Sequence, residues 1–232
     1  MQTKLTGYVS LLCLALTLTW LILLIAGMAG AGPLDTFERA LAYVKPLSLM
    51  FYLTYINAAL ITVVAVMLFA LLYRLYQATT PEWAMIGLVF VPIYGVMNLC
   101  VYLSQVTVVP QLLQLQSMPE YQALAPLLLR QALQIWPYSA VATVNNLAYA
   151  VLGIPSLIFG GLMLKTSPAL RLGGILLGLS GLASIAGFIG IVAQISWLGQ
   201  GSLIGGVLFL LALGPVSWAF LQTKTTASSL PR

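Results

Sequence analysis

A chain of 232 residues that is 61% hydrophobic and only 6% charged is not an ordinary soluble domain, in which about a quarter of residues carry charge. Its net charge of +5 comes from nine scattered basic residues against four acidic ones, and without a basic cluster it offers no footprint for nucleic acid. The lack of any histidine removes His-ligated haem, histidine-containing zinc sites and Ser-His-Asp or Cys-His catalysis.

At about 20 apolar residues per membrane crossing, hydropathy divides residues 1–222 into six spans. They are 6–30, 47–73, 83–109, 138–164, 172–198 and 202–221, followed by a polar tail, 223–232, expected to be disordered and cytoplasmic. The expected fold is an all-α integral membrane protein, a six-transmembrane-helix bundle with short amphipathic helices on its outer face. The charged residues all lie outside these spans or at their edges. Size and hydropathy resemble those of small bacterial polytopic proteins, which makes a bacterial plasma membrane the expected location; no motif specifies a family.

The first span follows a lone Lys4, and its apolar run is nearer 20 residues than the 7–15 of a signal peptide, so it is expected to stay as a helix. Cys13 within it and Cys100 in the third span belong to no CxxC pair and are expected to be small buried hydrophobes. The connection after the first span, GPLDTFERALAYVKP, has Asp35 placed as a helix N-cap with Glu38 three residues on. Phe37, Leu41 and Val44 form an apolar face and Asp35 and Arg39 an i, i+4 pair, which together predict a short amphipathic helix at the membrane surface.

In the second span Tyr52 and Tyr55 share a face with Ala59 and Thr62, while Asn57 points elsewhere. In the third, Tyr94, Asn98, Tyr102 and Gln105 fall within an arc of about 80° at 100° per residue. Since a carboxamide facing lipid forfeits several kcal/mol, this face is expected to point into the bundle. The connection that follows has Pro119 and Pro126 as expected helix starts, with Leu129, Leu133 and Trp136 on one face. Tyr138, Asn145 and Tyr149 lie within about 40° on the fourth span, with Asn146 offset. The fifth and sixth spans are glycine-rich: Gly174 with Gly178, and Gly201 with Gly205, each form GxxxG, and these spans are expected to pack on each other. Pro92 and Pro155 interrupt the third and fourth spans, but the halves show no convincing internal repeat.

Topology follows from the basic residues. Lys4, Arg74, Lys165, Arg171, Lys224 and Arg232 share one side and Arg39, Lys45 and Arg130 the other, so both termini are expected in the cytoplasm. Tyr52, Tyr55, Tyr102, Gln105, Tyr138, Asn145 and Tyr149 then gather in the outer half of the membrane, joined by Gln194 and Ser196 of the fifth span.

No Asp, Glu, Lys or Arg sits within a span, which disfavours proton-coupled pumps, voltage sensors and retinal Schiff bases; no potassium-filter TVGYG occurs. The carboxylates Asp35, Glu38, Glu82 and Glu120 lack metal-ligand spacing. No metal, cofactor or catalytic residue is therefore expected. Tyr52, Tyr55, Tyr94, Asn98, Tyr102, Gln105, Tyr138, Asn145 and Tyr149 form the candidate ligand-binding set. They suit either interhelical hydrogen bonding or a pocket of phenols and amides. The leading expectation is a non-enzymatic membrane protein that binds or passes a small neutral or amphipathic molecule in its outer half. One alternative is a scaffold or assembly factor docking a partner, or a second copy, through the glycine-rich spans. The other is a lipid-modifying membrane enzyme.

Overall fold

The computed structural model describes residues 2–29 and 31–222; the tail expected to be disordered, 223–232, lies outside the described residues. The described chain is a bundle of α-helices in which six are long and apolar enough to cross a membrane, and it is an integral membrane protein. The spanning helices are α1 (Gln2–Met28), α3 (Leu49–Tyr76), α4 (Pro81–Leu115), α6 (Ala140–Met163), α7 (Pro168–Val192) and α9 (Gly201–Gln222). Two short helices, α2 (Phe37–Val44) and α5 (Leu124–Ala132), lie in the long connections, and α8 (Ser196–Gly199) joins α7 to α9.

The spanning helices form a ring in chain order. Each packs against its neighbour in sequence, α9 closes the ring on α1, and contacts across the ring are few. One side of the bundle carries α2 and α5 and is called the long-connection side; the opposite, terminal side carries the start of α1 and the end of α9. Towards the terminal side the ring is filled by a core drawn from all six spans. Phe69 of α3 lies 5.8 Å from Phe159 of α6 and 6.5 Å from Phe209 of α9, ring centre to ring centre, with Leu72, Met163, Leu177 and Leu213 around them. On the long-connection side the buried apolar cluster is drawn from α2, α3, α4 and the α5 segment instead.

Local chemistry sets the helix ends. On the long-connection side α3 and α6 start at serines whose hydroxyls cap the first turn: Ser48 Oγ accepts from the Phe51 N–H at 3.2 Å and Ser139 Oγ from the Ala142 N–H at 2.9 Å. The cap of α2 is Thr36, not Asp35: Thr36 Oγ1 accepts from the Arg39 N–H. Asp35 is left to take the Arg39 guanidinium at 2.6 Å, which holds its carboxyl below the usual range. The exposed pair itself contributes little. Pro119 does open a turn, a short 3-10 segment, but α5 begins at Leu124, so Pro126 stands inside its first turn. At 35 residues α4 is the longest helix. At 1.5 Å per residue it is about 52 Å long, well beyond the ~30 Å hydrocarbon core.

The glycines decide how closely the last three spans approach. As expected, α7 packs on α9: a Cβ on Gly201 would strike the Ala183 carbonyl, and one on Gly205 the Ser184 hydroxyl. The same holds, unforeseen from the sequence, between α6 and α7. A Cβ on Gly160 would stand 2.6 Å from Gly174 O, one on Gly174 2.6 Å from Gly160 O, and one on Gly181 would meet Gly153 O. Gly178 differs from the expectation. Its backbone is approached by Gly160, but its own side-chain direction is open, with nothing within 4 Å. The contact comes from glycines seven residues apart on both helices, 153 and 160 against 181 and 174, and Gly178 lends it backbone while its own side-chain direction faces away.

This geometry sets opposite outcomes for substitutions of one type. Gly160→Leu forces backbone apart and is expected to destabilise the protein by at least the ~1–3 kcal/mol typical of overpacking. Gly178→Leu and Gly161→Leu, both into open space, should leave the thermal midpoint in detergent unchanged.

Candidate functional site

The polar residues of α3, α4 and α6 meet around Asn98. It is 1% exposed, and its Nδ2 donates to Thr62 Oγ1 and to the Tyr94 hydroxyl, both at 3.2 Å. Thr62 in turn donates to the Ala58 carbonyl at 3.0 Å. Beside this, the Tyr102 and Tyr149 hydroxyls share a hydrogen bond of 2.6 Å, and the Asn98 carboxamide lies against both. The rings also touch, Tyr94 with Tyr149 at 6.3 Å and Tyr55 with Tyr102 at 6.4 Å between centres. The aligned face of α4 therefore does point inward. The groups it meets are Thr62 and Tyr55 of α3 and Tyr149 of α6.

Gln105 belongs to a different structure. Its Nε2 donates to the Ala132 carbonyl at 2.9 Å and its Oε1 accepts from the Gln134 N–H at 3.0 Å, while the Gln134 side chain accepts from the Tyr55 hydroxyl at 3.1 Å. Gln105 and Tyr55 thus tie the end of α5 to α4 and α3. Phe37 of α2 adds an aromatic clamp, lying 5.9 Å from Trp136 and 5.0 Å below the Arg130 guanidinium. Phe37, Val44, Leu129 and Leu133 are buried against the bundle. The two amphipathic segments consequently pack on protein with the faces that the sequence aligned.

Four residues expected in the outer-half group stand apart. Tyr138 is 79% exposed, because α6 begins two residues later at Ala140 and the tyrosine packs on the edge of Trp136 outside the helix. Tyr52 is half-buried and meets Phe51 edge-on. Gln194 and Ser196 are exposed and no part of the fifth span: α7 ends at Val192 and Gln194 takes a left-handed φ of 58°. This turn, closed by the Ile195 N–H on the Gly190 carbonyl at 2.7 Å, stops the helix.

One feature of the site lies outside the hydrogen-bonded pairs. Asn57 Oδ1 on α3, Asn98 Oδ1 on α4 and Asn145 Oδ1 on α6 are each buried and accept no hydrogen bond from the protein, and the same is true of Ser202 Oγ on α9. Asn57 and Asn145 are only 8% exposed. Asn57, set aside in the sequence because it left the tyrosine face of α3, therefore shares with Asn98 and Asn145 a buried oxygen without a donor. Its apparent isolation was the signal: a carboxamide in a span with no sequence neighbour to satisfy it. No charged side chain lies among these residues, and all four carboxylates of the chain are exposed. Two cavities lie elsewhere, an apolar one of about 10 Å³ within the Phe69–Phe209 core and an open groove of about 430 Å³ at the terminal-side ends of α7 and α9.

No family model, curated protein or solved structure matches this chain.

Replacing Gln105 with Leu strips partners from the Ala132 carbonyl and the Gln134 N–H. A loss of about 1–3 kcal/mol for each group left buried is expected. Faster amide hydrogen exchange over residues 130–136, with that over α7 and α9 unchanged, would show that the loss is confined to the α5 anchor.

Proposed function

We propose that this chain is a non-enzymatic membrane protein that holds a small neutral or amphipathic molecule in the polar half of its helix ring, among Asn57, Asn98, Asn145 and Tyr149. The observation that carries this reading is the trio of buried carboxamide oxygens, one on each of three adjacent spans, that accept nothing from the protein. Within a bilayer an unsatisfied polar group forfeits several kcal/mol, so side chains retained in this state favour a partner from outside the chain. Phenols and amides backed by apolar walls suit the recognition of a small molecule. The hydrogen bonds of Asn98 and the Tyr102–Tyr149 pair pre-position the site. Scaffolding through the glycine faces receives less support, because Gly174, Gly201 and Gly205 are already in backbone contact within the chain.

The long-connection side is taken as the outer one, in a bacterial plasma membrane with both termini cytoplasmic, since six of the nine basic residues favour the terminal side. A reporter fused after Arg232 should be active only in its cytoplasmic form; a periplasmic signal reverses the assignment.

The binding reading predicts an unusual combination for Asn145→Leu. If the orphaned oxygen serves a ligand, its removal relieves a buried unsatisfied group, so the ligand-free protein should gain about 1–3 kcal/mol while losing a molecule that the wild type retains. Thermal midpoints and mass spectrometry of co-purified small molecules measure the two effects. A variant that is less stable and carries the same molecules as wild type makes Asn145 a packing residue and removes the proposal.

A further inference from the structure

We infer that this site opens sideways into the membrane between α1 and α9, and that its ligand is a neutral amphiphile. Its head would bear hydroxyl or amide donors, and its hydrocarbon tail would leave through the gap. The inference rests on the binding reading above and adds the route and the ligand class.

The first and last spans close the ring at the terminal side. There a Cβ on Gly7 would stand 2.8 Å from Leu221 Cγ. The Ser10 and Ser217 hydroxyls, 3.0 Å apart, both donate to the Leu213 carbonyl. At 100° per residue Gly7, Ser10, Leu14, Leu21 and Ile25 occupy one face of α1, within about 60°. Exposure rises steadily along it: Gly7 and Ser10 are buried, Leu14 is half-buried, Leu21 is 38% exposed and Ile25 63%. The matching face of α9 behaves alike. Gly206 projects between the directions of Leu213 and Ser217, within about 20° of each. Those two residues are buried against α1, whereas Gly206 is exposed and a Cβ there would meet nothing within 4 Å. The two helices diverge towards the long-connection side. The buried apolar cluster of that side takes no residue from α7 or α9.

Two of the orphaned acceptors, on Asn57 and Asn145, lie at the depth of this gap, while Asn98, bonded to Thr62, lies deeper. Asn57, Asn145 and Gly206 are all within about 12 Å of the long-connection ends of their helices at 1.5 Å per residue, and Ser202 Oγ, one turn from Gly206, accepts nothing either. Three carboxamide oxygens call for donors. The charged residues of the spanning helices, Lys4, Arg74, Glu82 and Arg171, all lie near the terminal-side ends, away from these acceptors, which calls for a head without net charge. The exposed flanks of the gap, Leu21 and Ile25 on one side and Leu203 and Val207 on the other, suit an alkyl chain. A monoacylglycerol has this chemistry.

The test uses the full chain in nanodiscs with a monoacylglycerol carrying a photoreactive group in its tail. Saturable labelling of residues 18–28 and 202–210 is expected. Unlabelled monoacylglycerol should compete and a fatty-acid methyl ester of equal length, which has no donor, should not. Gly206→Trp enters open space and should fold, yet reduce apparent affinity about tenfold or more, ~1.4 kcal/mol. Leu21→Trp provides the same block from α1, and Gly161→Trp, at an equally open position on α6, should have no effect. If Asn145→Leu abolishes labelling but neither tryptophan at the gap does, the binding site stands and the lateral route falls. If none of these three variants changes labelling, both readings fall. Equal competition by the methyl ester would reduce the labelling to ordinary boundary lipid and overturn the ligand class.

Discussion

Hydrocarbon offers no hydrogen bonds, and most of this structure answers that condition. Backbone groups are satisfied within helices, and hydroxyls in the spans turn back onto carbonyls of the preceding turn, as Thr17 does onto Cys13 and Thr107 onto Leu103. What remains polar is carried into the ring. There the protein satisfies the Asn98 amide protons and the Gln105 carboxamide but leaves the oxygens of Asn57, Asn98 and Asn145 without a protein donor. These oxygens stand against the general rule of a satisfied interior, and they mark the place where chemistry from outside the chain has most to gain.

Helix association in lipid also lacks the hydrophobic driving force that water supplies, so close packing must do the joining. The two halves of this bundle solve that problem differently. Spans α6, α7 and α9 meet through glycine backbones and a serine hydroxyl, Ser180 donating to the Gly205 carbonyl at 2.7 Å. Spans α3 and α4 meet through larger side chains and carry the polar hub. Their long-connection ends are clamped by α5, through Gln105 and Tyr55, and by the Phe37–Trp136–Arg130 contacts. The result is a glycine-packed wall on one side, a clamped polar wall on the other, and a seam, α1 against α9, joined by hydroxyls towards the terminal side.

Several features were legible before any coordinates. The six spans are dictated by the length of apolar runs against bilayer thickness, and their ends differ from expectation by only a few residues wherever a cap or proline fixes them. The inward face of α4 follows from helical period alone, because Tyr94, Asn98, Tyr102 and Gln105 recur on one side. The Asp35–Arg39 pair and the apolar faces of α2 and α5 are equally local. Errors arose at ends where local signals compete. Tyr138 fell outside α6 because Ser139 is the better cap, and Gln194 fell outside α7 because a left-handed turn ended the helix early.

By itself, then, the sequence determined the class of molecule, the number of crossings and the faces of each helix, since these depend on composition and on periods of a few residues. Partnership was decided only by the tertiary structure. Nothing in α4 says that Asn98 will meet Thr62 while Gln105 meets the backbone beyond α5. Nor does GxxxG spacing say that a side chain at Gly174 would be blocked and one at Gly178 would not. Such choices depend on the rotation and depth of one helix against another, set by contacts among residues far apart in the chain. The same is true of the unsatisfied oxygens and of the divergence of α1 from α9: a missing partner exists only relative to all the neighbours that were placed elsewhere.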